Sequence, residues 1–262
     1  MGLLDFKNTL QQVKKDLLDK PKKQLLGLKE NGNNTLNFKK EIKAICIDPG
    51  HGDNFNGTID PGTSIKVGDV MFLEKDMVLP VALKLKEKLE LSGYQTIITR
   101  NGDVAKKQQR FTWRLEKAAK SDLLISLHMG YFADSSLRGI QVIYFSGIIT
   151  SENLADNLKY GQKSNMSDFS VEKLARQSKN SKSLAESILD SVNVLPNLQR
   201  NSLKGESHNI LRNFEGIASV IVEMGVIGNA DDRSVLLNDF ETLANEIAIG
   251  ITTFINKYKD DE

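Results

Sequence analysis

Ile45-Cys46-Ile47-Asp48-Pro49-Gly50-His51-Gly52-Asp53 is the stretch on which the reading of this chain turns. A short apolar run is stopped by Asp-Pro-Gly, and a histidine sits on the turn. Apolar runs of this length, bounded by Gly and Pro, read as buried strands. Open α/β sheets place their chemistry at the C-terminal edges of such strands. His51 is therefore expected at the rim of a sheet, and the other residues that reach that rim become the question.

Downstream, a Gly-rich loop runs through Gly57, Pro61, Gly62 and Gly68. Val70 to Asp76 then leads into a helix bearing Leu79, Leu83, Leu85 and Leu89, closed by Gly93 at a C-cap position. Tyr94 to Thr99 reads as a second strand ending at Arg100, and residues 104–120 as a basic helix. Leu123 to His128 is a third strand and Ile140 to Phe145 a fourth. Residues 148–181 are polar and read as a helical surface insertion. Leu184, Ile188 and Val192 mark a helix, Val220 to Glu223 the last strand, and Phe240, Leu243, Ile247, Ile251 and Phe254 a terminal helix. Strands alternating with helices predict an α/β fold: a mostly parallel twisted sheet with helices on both faces.

Upstream, Leu3, Phe6, Leu10, Val13 and Leu17 follow helical spacing with a narrow apolar seam. Pro21, a lysine-rich tract and Glu30-Asn31-Gly32-Asn33-Asn34-Thr35 then read as a linker. The expected organisation is an amphipathic helix and linker over residues 1–40 and a single catalytic domain over 41–262. The plain reading is a helix folded back on the domain; the sharper one, which a narrow seam suits, is a docking element for a carrier or assembly protein. The net charge of +1 gives no field to attract nucleic acid or an anionic membrane. The lone Cys46 excludes an internal disulfide and a multi-cysteine metal site. No apolar run is long enough to span a bilayer, and the N-terminus does not resemble a secretory signal. The expectation is synthesis in the cytoplasm with no membrane insertion.

Three strand ends carry polar residues that a core would reject: His51, His128 and Glu223. Glu74 adds a carboxylate at a helix start. Each alone is ordinary, since a strand-end histidine can be hydrogen-bonded structure and a first-turn acid can face the helix dipole. Together, two imidazoles and one carboxylate make a three-ligand zinc site with an open position, and a second carboxylate left off the metal supplies a proton carrier. Metal-activated water beside such a carboxylate is the chemistry of amide hydrolysis.

Asp48-Pro49-Gly50-His51-Gly52 resembles the opening motif of the zinc-dependent N-acetylmuramoyl-L-alanine amidases of bacteria and phages. Leu73-Glu74-Lys75-Asp76 resembles their second motif, Ser126-Leu127-His128 their third, and Val222 to Asn229 their closing one. All four occur in the family's order, over roughly residues 43–258. The resemblance implies an α/β sheet flanked by helices, one Zn2+ per chain held by His51, Glu74 and His128, and Glu223 as the catalytic glutamate. It implies cleavage of the amide between N-acetylmuramic acid and L-alanine in peptidoglycan. Arg100 and Asn229 are assigned to substrate binding.

The chain also departs from the family. Met129-Gly130 stands where Ala-Asn or Ala-Asp is common, and both Arg110 and Arg114 match one family arginine. His208 matches no ligand and reads as a cleft or surface residue. Some family members carry a regulatory helix near the position of 148–181, so that insertion is a candidate inhibitor. The expected setting is cell-wall lysis by a phage lysin, or by an enzyme carried in a contractile or other injection apparatus. The rival expectation is a non-catalytic structural or wall-binding module that keeps the fold.

Overall fold

A computed structural model describes residues 41–260, except 56, 105–110, 135, 148–170, 194, 196–197, 199–201 and 213. The helix and linker expected over 1–40 therefore lie outside the described residues, as do Arg110 and most of the expected insertion.

The opening stretch is a strand, β1 (Ala44–Pro49), buried along its whole length. Two small hairpins follow where the sequence suggested a plain loop: β2 (Asn54–Phe55) with β3 (Thr58–Ile59), then β4 (Ser64–Val67) with β5 (Val70–Leu73). Helix α1 (Glu74–Leu91) starts directly from β5 and buries Met77, Val78, Val81, Ala82, Leu85 and Leu89. Those positions recur every three or four residues, which lays one apolar stripe against the sheet. Leu83, counted with that stripe on sequence, falls between its turns and is exposed. The helix ends at Gly93 as expected. Gly93 N–H donates to Glu90 O and Tyr94 N–H to Leu89 O, the paired bonds of a Schellman cap.

Next come β6 (Gln95–Ile98), α2 (Phe111–Ala118), β7 (Leu123–Gly130) and β8 (Gln141–Phe145). Helix α3 (Val171–Val192) is continuous, so residues 171–181 belong to the same helix as Leu184. The chain closes with β9 (Ser202–Glu206), α4 (Asn209–Arg212), β10 (Ala218–Val226), α5 (Ala230–Asn238) and α6 (Phe240–Asp260). The main sheet has the order β6-β1-β7-β10-β8-β9, antiparallel only between β10 and β8. The expected mostly parallel α/β sheet is thus present.

Strand alternation separates two cores. Ile45, Ile47, Leu123, Ile125, Leu127, Val220 and Val222 face α1, α3 and α6. Cys46, Leu124, Ile143, Phe145 and Ile221 face the smaller cluster with Ala118, Leu211 and Phe214. Burial pushes the Cys46 thiol up, and Asp48 beside it pushes further, so it stays protonated and inert. No helix among the described residues is long and apolar enough to cross a membrane.

The order of strands matters for function. β1 is flanked by β6 on one side and β7 on the other. The chain thus reverses its direction of spread between β1 and β7, and that is where an open sheet leaves a crevice beyond its strand ends.

Candidate metal centre

His51 lies just past β1, and His128 lies near the end of β7, the strand beside it. Glu74 is the first residue of α1 and is buried. One ligand atom from each of these three residues lies within 4.8 Å of the others. Residues separated by up to 77 positions in sequence therefore converge at the switch point.

Each is held by hydrogen bonds, some from its neighbours and some from one another. His51 takes a left-handed backbone, φ 60°, which is uncommon for a residue with a side chain. The turn is tied to β7 by Gly50 N–H donating to Leu127 O at 2.8 Å. His51 Nδ1 donates to Asp60 Oδ2 at 2.7 Å, leaving Nε2 aimed at Glu74 Oε2, 3.2 Å away. Glu74 Oε2 also accepts from Thr63 N–H at 2.8 Å, and its Oε1 accepts from Met129 N–H at 3.0 Å. His128 Nδ1 donates to Glu74 Oε1 at 2.9 Å. The two imidazoles meet edge to face, with ring centroids 5.0 Å apart. This close approach requires bare backbone: a Cβ at Gly50 would lie 2.4 Å from the His128 ring, and one at Gly62 would lie 2.6 Å from His51 and 2.7 Å from Glu74.

The electrostatics follow from that geometry. Burial alone would lower the His51 pKa, but hydrogen bonds from its ring to the Asp60 and Glu74 carboxylates, and their charges, raise it from 6.5 to about 9. Burial would raise Glu74, yet the two imidazoles hold its carboxyl far below the usual range. The cluster thus pairs an imidazolium with the Asp60 and Glu74 carboxylates, and a divalent cation would compete with that proton for the same nitrogen.

Glu223 stands on β10 directly opposite His128 of β7. Its Oε2 is buried with no hydrogen-bond partner, and burial raises its pKa, opposed by His128 and reinforced by Glu74. Immediately after Glu223 the β10–β7 register slips, since Glu223 pairs with His128 but Val226 pairs with Gly130. Three residues advance on β10 against two on β7, a bulge of the kind that re-aims a side chain at a strand end.

Two residues assigned to substrate binding from sequence are engaged within the fold. Arg100 is only 4% exposed, and two of its three guanidinium nitrogens donate to backbone, Nη1 being buried without a hydrogen-bond partner. Its Nε donates to Pro49 O, and its Nη2 to Gly50 O and Lys75 O. It therefore clamps the turn before His51 to the first turn of α1. Asn229 is the N-cap of α5, its Oδ1 accepting from Asp231 and Asp232 N–H, because the start of a helix leaves those donors without partners. Of the two arginines that matched one family position, Arg114 pairs with Asp48 through Nε to Oδ1 at 2.8 Å and Nη2 to Oδ2 at 2.9 Å. His208 lies between β9 and α4, its Nε2 against Glu206 Oε2 at 2.5 Å, and takes no part in the cluster.

Sequence reasoning missed Asp60. Its signal was present: Asp60-Pro61-Gly62 repeats the Asp48-Pro49-Gly50 triplet that opened the reading. Asp48 was also read only as part of a motif. It is fully buried and accepts from Thr99 Oγ1, Ser126 Oγ and Arg114, which ties β1, β7, α2 and the end of β6 together under the histidine turn. Burial would raise its carboxyl, but the Arg114 charge and these hydrogen bonds hold it below its ordinary value.

Known proteins resemble this chain in sequence and in fold. The chain is 25% identical over 230 residues to N-acetylmuramoyl-L-alanine amidase AmiC of Neisseria meningitidis, covering 81% of this chain and 52% of that protein. It is 28% identical over 196 residues to LytC of Bacillus subtilis, an N-acetylmuramoyl-L-alanine amidase, covering 74% of this chain and 31% of LytC. The chain thus spans about half the length of the first relative and about a third of the second. Among solved structures, an N-acetylmuramoyl-L-alanine amidase from Clostridium difficile 630 superposes with a TM-score of 0.59 at 21% identity, covering 85% of this chain and 100% of that one. Ami1 of Mycobacterium smegmatis superposes with a TM-score of 0.61 at 18% identity, covering 83% and 100%. At those identities the superpositions speak for the fold. The family model described as N-acetylmuramoyl-L-alanine amidase matches residues 45–255, from within β1 to within α6 and across the whole cluster, and on that match this chain belongs to the N-acetylmuramoyl-L-alanine amidase family.

Proposed function

We propose that this chain hydrolyses the amide between the lactyl group of N-acetylmuramic acid and L-alanine in peptidoglycan, using one Zn2+ held by His51, Glu74 and His128. The observation that carries the proposal is the convergence of those three ligand atoms within 4.8 Å, next to a carboxylate with a buried, unpaired oxygen. Two nitrogens and one carboxylate oxygen are a donor set that suits zinc and leaves a position for water or substrate. Bound zinc supplies polarisation of the scissile carbonyl and a lower pKa for water.

The residues divide the remaining tasks. Asp60 fixes His51 with Nδ1 protonated and Nε2 facing the centre. Thr63 and Met129 N–H groups hold the Glu74 carboxylate in place. Glu223 accepts the proton of the attacking water at Oε2 and returns it to the alanine nitrogen as the amide breaks. Its raised pKa keeps it a competent acid for the second transfer.

The test is digestion of purified muropeptides followed by mass spectrometry. Free stem peptide with intact glycan is the expected product. Glu223→Gln retains one zinc per chain and loses turnover by roughly 10²–10⁴-fold, the usual contribution of a positioned proton carrier. Cleavage within the glycan or the stem peptide, or full turnover by Glu223→Gln, overturns the proposal. Residues 1–40 are proposed as a tether to a carrier protein, supported by the amphipathic spacing of Leu3, Phe6, Leu10, Val13 and Leu17. Deleting them leaves muropeptide cleavage intact and abolishes delivery if that is so.

A further inference from the structure

We infer that Tyr131 and Phe132 form an aromatic platform that binds the sugar ring of the substrate beside Glu223. The inference rests on the amidase reading and adds a substrate-recognition element that the metal centre does not require.

The two aromatics follow His128 by three and four residues, at the point where β7 leaves the sheet. Tyr131 is 60% exposed and Phe132 46%, whereas most large apolar side chains among the described residues are buried. Two exposed aromatics in succession beside a reactive centre leave apolar surface open to a ligand there. Its placement relative to the centre is specific. A Cβ built on Gly130 would lie 3.5 Å from Phe132 Cε2 and 3.9 Å from Glu223 Oε2. The Phe132 ring and the Glu223 carboxylate therefore border one small space, kept open because residue 130 has no side chain. The backbone there is anchored, since Ile227 N–H donates to Gly130 O at 2.9 Å.

The charge of the segment selects the occupant. Between Gly130 and Leu137 the one ionised side chain is the exposed acid Asp134, and Arg138 just beyond is paired with Asp231. The segment therefore offers no free positive charge to hold the carboxylates of the stem peptide. The N-acetylated sugar is neutral, and its pyranose ring offers a C–H face to an aromatic plane. An apolar ring with a polar tip, as in Tyr131, suits such an amphipathic ligand. The change from the family's Ala-Asn to Met129-Gly130 is thereby given a purpose: it clears the space between the platform and Glu223.

The test separates binding from turnover. Phe132→Ala, Tyr131→Ala and Phe132→Trp are made in the Glu223→Gln background, and binding of a disaccharide-peptide muropeptide is measured by calorimetry in zinc-loaded protein. The two alanine variants are expected to weaken binding by roughly tenfold, the scale of one aromatic contact, and Phe132→Trp to restore it. The same variants in the active background are assayed on muropeptide and on an N-lactoyl-L-alanyl peptide that lacks the sugar. KM is expected to rise on the muropeptide with kcat unchanged, and neither to change on the sugar-free peptide. Unaltered muropeptide binding in both alanine variants overturns the inference. Equal losses on both substrates also overturn it, and assign the aromatics to the peptide side. Failure of the parent protein to cleave muropeptide defeats the proposed function instead, and the binding measurement still decides the platform.

Discussion

His51 is held from three directions: its backbone by the bonds around Gly50 and Gly52, its Nδ1 by Asp60, and its Nε2 by Glu74. Asp60→Asn keeps the size of the side chain but removes the charge that orients the ring. Metal affinity in that variant is expected to fall by roughly 10–100-fold, the usual effect of losing such a partner, as read by competition with a chromogenic chelator. The protonation of His51 makes a second prediction. Its pKa in the metal-free fold is raised from 6.5 to about 9, so its contribution to stability is full below pH 6.5 and is lost as pH rises through about 9. Zinc must displace that proton. Apparent zinc affinity is expected to climb about tenfold per pH unit between those limits, and calorimetry in buffers of different ionisation enthalpy should show close to one proton released per ion. Affinity that is flat across this range would contradict the geometry of the His51–Asp60 pair.

The elements that carry the ligands meet over Asp48. Its carboxylate links β1 to β7 through Ser126, to the end of β6 through Thr99 and to α2 through Arg114. Arg114→Met leaves that charge buried and unpaired, which costs about 3–5 kcal/mol of stability; urea unfolding of the variant against the parent measures it. At this scale the sequence was informative where periodicity is strong and long. The buried strands β1, β7 and β10 were legible from their apolar runs, and α1 from its spacing and terminal glycine. The hairpins β2–β3 and β4–β5 were not, because their strands are two to four residues long and mostly exposed. β9 was missed for a similar reason: Ser202-Leu203-Lys204-Gly205-Glu206 has no apolar alternation, and parallel pairing with β8 makes it a strand. The three candidate ligands and Glu223 were nameable from sequence because they stand at motif positions. Asp60 and the backbone contacts of Arg100 were not, since both depend on which groups fold back against the histidine turn.

For the whole molecule, the proposed zinc site would couple metal and fold by mass action. Its ligands, from the turn after β1, the start of α1 and the end of β7, are gathered only in the folded chain, so zinc bound there is expected to stabilise the native state. At free zinc a hundredfold above Kd the gain is about 2.7 kcal/mol, and for a domain of this size that corresponds to a rise in Tm of roughly 5–10 °C. Differential scanning calorimetry with and without chelator checks it, and His51→Ala should abolish the shift. Glu74 faces both imidazoles, His128 with Oε1 and His51 with Oε2, so any change at this one carboxylate reaches both histidines at once.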